Sequence, residues 1–163
     1  MHNISIDTLS VIARQCLAVT CLQRFCRRFD MDHPALSAFT AHVWKVAQVG
    51  PGEFATWERG FASLAVTGMG DPWPDEVSMA MPWHLRGTLE ALVQHVLETS
   101  ACTWHGDDLA ASRRQLEAVL AICMRHDVAL PQLGHYAQHD ATLRGGWGSA
   151  LTDEEVRAWQ ALI

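Results

Sequence analysis

Nowhere in these 163 residues do apolar and polar side chains alternate strictly, as a half-buried strand requires, which excludes an antiparallel sheet with one wet face. No run approaches the roughly 20 apolar residues of a membrane-spanning helix. Cysteine is sparse and odd in number: Cys16, Cys21, Cys26, Cys102 and Cys123 form no CxxC pair and no short-spaced framework, so they read as buried thiols in a reducing compartment. Lysine is nearly missing, with Lys45 the only one. The opening MHNISIDTLS lacks a basic start and an uninterrupted apolar stretch, and a cytoplasmic location is the expectation.

What is present is apolar content with a helical period. Apolar residues make up 49% and charged residues 18%, enough burial to offset chain entropy in a single folded domain spanning 1–163. Net charge is −6, so a nucleic-acid role needs a concentrated basic patch, and the candidate Arg24, Arg27 and Arg28 is small. Neither nucleic acid nor membrane is an expected partner.

Leu9, Ile12, Cys16, Val19, Leu22, Cys26 and Phe29 recur at three- and four-residue steps, which predicts a first helix over about 7–29. Leu17, Cys21 and Phe25 lie off that stripe. A helix apolar on more than one side belongs in the middle of a bundle, with its arginines reaching solvent. Asp32 is the predicted cap of a second helix with Pro34 in its first turn, carrying Leu36, Phe39, Val43 and Val46 or Ala47 inward to the break Gly50-Pro51-Gly52. A third helix is predicted over 53–65.

Three prolines and two glycines in TGMGDPWPDEVSMAMP leave residues 67–82 irregular, with room for one helical turn at 75–79. A fourth helix is predicted over 83–102. A fifth starts at Asp107 or Asp108 and closes near Arg125 and His126. A short piece follows over 131–139, then the loop RGGWGS. Thr152 with Glu155 forms a capping box for the last helix. The fold class is therefore all-α: a compact bundle of about six main helices with one or two short extra ones.

Nine histidines raise a metal hypothesis. Its local form is His135, His139 and Asp140, where an i, i+4 imidazole pair on a helix shares one ion; the segment lacks the glutamate of HExxH, and no third ligand is fixed. His84 and His95 lie about 16 Å apart along a helix axis, too far to share an ion. His33 and His42 read as hydrogen-bonded structure. Cys102 and His105 suit a thiolate–imidazole pair by spacing, but a helix C-terminus raises a thiol's pKa. The glycine segments Gly68–Gly70 and Gly145–Gly148 read as turns. No cofactor is implied.

The segment holding Asp71, Trp73, Asp75, Glu76 and Trp83 is the candidate partner-binding surface, since tryptophan supplies contact area and acidic neighbours steer a basic protein towards it. Trp104, Trp147 and Trp159 form a candidate second apolar cluster or a homodimer face.

The stretches CLQRFCRRFDMDHPALSAFTAHVW, WERGFASLAVTGMGD, VLETSACTWHGDD and GGWGSALTDEEVRAW resemble a group of small, uncharacterised all-helical bacterial proteins. In size, acidity and helicity these are similar in character to bacterial immunity proteins, which block a toxin in the cytoplasm by occupying its surface. The resemblance implies a binding module rather than an enzyme, and it carries over no binding residue.

Overall fold

A computed structural model describes residues 5–50, 52–106 and 108–163. Every regular element among them is helical: α1 (Val11–Arg28), α2 (Pro34–Trp44), α3 (Phe54–Gly60), α4 (Asp75–Ala80), α5 (Arg86–Ala101), α6 (Leu109–Arg125) and α7 (Asp153–Gln160), with 3-10 turns between several of them. Helix α1 packs against α2, α5 and α6, while α5 and α6 pack on one another.

The all-round apolar character of α1 puts it at the centre, and Val11 through Leu22 are buried without interruption. Its arginines do not all reach solvent, as the sequence suggested. Arg14 is buried, and its guanidinium donates to the Leu109 carbonyl in the first turn of α6 at 2.8 Å. Gln15 donates to the Val96 carbonyl of α5 at 2.6 Å, and Tyr136 reaches Thr20 at 3.2 Å. Buried polar atoms on α1 thus fasten it to three separate parts of the shell.

The helix begins later than its apolar stripe predicts. Ile6–Thr8 form a 3-10 turn, and Ser10 caps α1 by accepting from the Ala13 N–H at 3.0 Å. His33 rather than Asp32 caps α2, its Nδ1 accepting from the Ala35 N–H at 3.1 Å. Helix α3 gives way to the 3-10 turn Phe61–Ser63 well before residue 65. The predicted turn near 75–79 is α4, and the Thr152–Glu155 capping box is present on α7. Asp108 caps α6 by accepting from Ala111 N–H at 2.8 Å; the alternative start Asp107, like Pro51 of the second break, lies outside the described residues.

Residues 131–139 do not form the predicted helical piece. Only the 3-10 turn Leu133–His135 is regular there, and the chain passes into irregular turns after it. The chain then folds back over α1: the Trp147 carbonyl accepts from the Ile12 N–H at 3.2 Å, and Leu151 N–H donates to Ala47 at 2.7 Å. Gly148 makes that return fit. It sits at φ +83°, and a Cβ there would overlap the His139 ring and lie 3.0 Å from Ser10 Cβ.

Gly145 provides a matched control, since it also has positive φ (+65°) but open space around its Cα. Gly145→Ala should cost about 1 kcal/mol from backbone strain alone. Gly148→Ala adds a steric clash and should cost about 2–4 kcal/mol. Urea unfolding followed by circular dichroism measures both, and equal losses would refute the close approach.

Candidate functional site

The segment 67–85 links the 3-10 turn after α3 to α5 and lies outside the helical core. Thr67 shapes its first bend, accepting from the Met69 N–H at 3.0 Å and donating to the Asp71 carboxylate at 2.9 Å. Pro74 then precedes α4, whose first turn presents Asp75 and Glu76 to solvent, where carboxylates favour the partial positive end of the helix. Val77 and Met81 are buried and hold the segment down.

The two tryptophans behave differently. Trp73 packs one side against the core, while Trp83 is 83% exposed, with only the His84 ring near it at 5.7 Å. Met69 and Met79 stand exposed in the same segment, Met79 by 76%. Among the described residues the other exposed large apolar side chains are Met124 and Leu143, so this one segment supplies three of the five.

Between the segment and α5 runs a cleft of about 460 Å³. Asp71, Pro72 and Trp73 form one wall, and Gly87, Glu90, Ala91 and Gln94 form the other. Among the described residues its ionisable groups are the carboxylates of Asp71 and Glu90. The sequence singled out Asp71 and Trp73 but missed the α5 side and the two methionines. A signal was present: positions 87, 90, 91 and 94 share the i, i+3, i+4, i+7 period, on a different face from the core residues Leu89, Leu92 and Val96.

His135, His139 and Asp140 line a separate cleft of about 510 Å³ together with Glu155 and Trp159. His139 is buried and both its ring nitrogens are engaged. Nε2 lies 2.7 Å from the Ser149 carbonyl, which can only accept, so Nε2 carries the hydrogen; Nδ1 lies 2.6 Å from the Ser10 hydroxyl. No ring lone pair remains for an ion. Asp140 accepts from both the N–H and the hydroxyl of Thr142, which holds its carboxyl below the usual range. Glu155 is held low in the same way by the Thr152 N–H and hydroxyl. Among the described residues no group of three or more histidine, cysteine or carboxylate side chains is placed to hold a metal.

The Cys102–His105 pair is not assembled. Burial, then Glu98 and Asp108, push the Cys102 thiol up to about 11, and the His105 ring bonds Glu58 instead at 3.1 Å. Burial raises the Cys16 thiol further and lifts Cys26 to about 12. The basic patch is also spoken for: Arg24 donates to the Leu162 and Ala129 carbonyls, Arg27 to Ile163 at 2.8 Å, and Arg28 lies over the Phe29 ring. His42 and Trp57 exchange hydrogen bonds at 2.8 and 2.9 Å, and His95 bonds Gln115 at 2.7 Å.

Trp104, Trp147 and Trp159 do not form one cluster. Trp159 is buried against Tyr136 and His139, whereas Trp104 and Trp147 meet Phe54 beside Trp57 and Phe61. No helix among the described residues is long and apolar enough to cross a membrane. No family model matches the chain, and neither a curated protein nor a solved structure matches it.

Two measurements check this reading. With Cys102 near 11, its thiolate fraction at pH 7.5 is far below that of free cysteine, and a native-state thiol assay should label it roughly tenfold more slowly or worse. Glu155 is depressed in the folded state, so its contribution is present above the unfolded carboxylate range near 4.3 and is lost as pH falls through its folded value. The melting temperature should therefore drop between about pH 5 and 3, less steeply in Glu155→Gln.

Proposed function

We propose that this chain is a bacterial, cytoplasmic protein-binding module of the inhibitor or immunity type, and that its 67–85 segment receives a basic partner. The observation that carries the reading is the exposure of Trp83, at 83%, with Met69 and Met79, on a chain that otherwise buries its large apolar side chains well. An exposed indole and two flexible thioethers are the side chains that contribute most at protein contacts and repack to fit them. Asp71, Asp75 and Glu76 are exposed around them and supply the field that favours a cationic surface.

Catalysis finds less support. Burial pushes the Cys16, Cys26 and Cys102 thiols up, the imidazole of His139 is tied up at both nitrogens, and the carboxylates of Asp140 and Glu155 cap local turns. The engaged arginines of α1 weigh against a nucleic-acid partner.

Affinity capture from the native bacterium should retain one basic protein at stoichiometric amounts, and kinetics with that protein give the decisive test. Replacing Asp71, Asp75 and Glu76 together by alanine should slow association about tenfold at low salt and flatten its salt dependence. Trp83→Ala should instead speed dissociation by about tenfold or more. Unchanged kinetics in both variants would remove the segment from the binding surface.

A further inference from the structure

A third concavity, of about 360 Å³, opens beside the aromatic cluster and is lined by Phe54, Thr103, Trp104, Arg144 and Trp147. Phe54 meets both indoles edge to face, at 5.8 Å and 78° for Trp104 and at 5.7 Å and 90° for Trp147. Trp104 is backed by Trp57 at 5.4 Å and Phe61 at 5.8 Å, and the Trp147 backbone is pinned to the start of α1. The walls are therefore fixed by the core and stand ready without rearrangement.

The polar lining is dominated by one cation. Among the described residues Arg144 is the only ionisable side chain on the cleft. One guanidinium nitrogen makes two long bonds, at 3.4 Å to the Val49 carbonyl and 3.5 Å to Gly148, and among the described residues Nε and the other terminal nitrogen make none. The Trp104 indole N–H is buried with no hydrogen-bond partner. Thr103 donates its hydroxyl to Ser100 at 2.7 Å. Arg144 is also held at φ 52° and ψ 42°, a left-handed conformation that a residue with a Cβ adopts at a cost of about 1 kcal/mol.

Aromatic walls alone suit many ligands, including a quaternary ammonium, but a cation would face Arg144 with no carboxylate on the lining to offset it. A bare inorganic anion would leave three aromatic faces wet. We infer that this cleft binds a small planar aromatic carboxylate, its ring laid against the aromatic lining of Phe54, Trp104 and Trp147 and its carboxylate on the Arg144 guanidinium. The site shares no residue with the 67–85 segment and is independent of the partner reading.

The test is a titration of the full chain with indole-3-acetate, followed by the Nε1–H resonances of the tryptophans in a 1H–15N correlation spectrum. The resonances of Trp104 and Trp147 should shift saturably, and those of Trp73 and Trp83 should stay in place. Tryptophol, the neutral match, and acetate, the anion without a ring, should each bind at least about tenfold more weakly, as should indole-3-acetate to Arg144→Gln. Trp104→Phe, which keeps an aromatic wall and removes the unpaired N–H, should weaken binding about threefold; the same spectra report whether each variant is folded. The inference is overturned by no saturable shift of Trp104 and Trp147 with indole-3-acetate or benzoate up to about 10 mM, by equal binding of tryptophol, or by a folded Arg144→Gln that binds as the parent does.

Discussion

A helix without a wet face has to be enclosed, and enclosing α1 is the constraint from which the rest of this structure follows. Each large apolar side chain taken from water contributes about 1.5–3 kcal/mol, and α1 offers them in every direction. That force is non-directional, so it explains why α2, α5 and α6 gather around α1 without fixing how they sit. Direction comes from the polar atoms carried into the interior. Gln15 must meet the Val96 carbonyl, Thr20 must meet Tyr136 and Arg14 must meet the Leu109 carbonyl, and sliding α1 along its neighbours would leave these groups unpaired.

The N-terminus of α1 ties the last part of the chain to the core. Ser10 accepts from Ala13 and bonds His139, whose other nitrogen bonds Ser149, while Ile12 donates to Trp147. One helix end thereby organises a long stretch with little regular structure of its own. The same return presents Trp147 and Arg144 beside Phe54 and Trp104, so the aromatic cleft is a by-product of how the helix end is satisfied.

Surfaces left over from this packing divide by chemistry. The 67–85 segment carries exposed carboxylates with Trp83 and two methionines, and the aromatic cleft carries a guanidinium with unpaired donors. Two arginines of α1 hold the far end of the chain, Arg24 on the Leu162 carbonyl and Arg27 on that of Ile163.

The central place of α1, the turn at 75–80, and the Thr152–Glu155 box were legible in the chain, because each rests on residues within a few positions of one another. The start of α1 and the cap of α2 were misread by a few residues, since Ser10 and His33 compete with equally suitable neighbours for the same backbone N–H groups. Spacing alone left the histidine pair open, because it cannot show that His139 finds Ser10, distant in sequence, and commits its lone pair to that contact. Candidate surface residues were half visible: Asp71 and Trp73 stand out locally, but Glu90 and Gln94 join them only once α5 is laid alongside. Periodicity and caps are local physics, and on their own they determined that this chain is helical and which helix is innermost. Which polar groups are used up and which stay free depends on partners far away in sequence, and only the tertiary structure decided that.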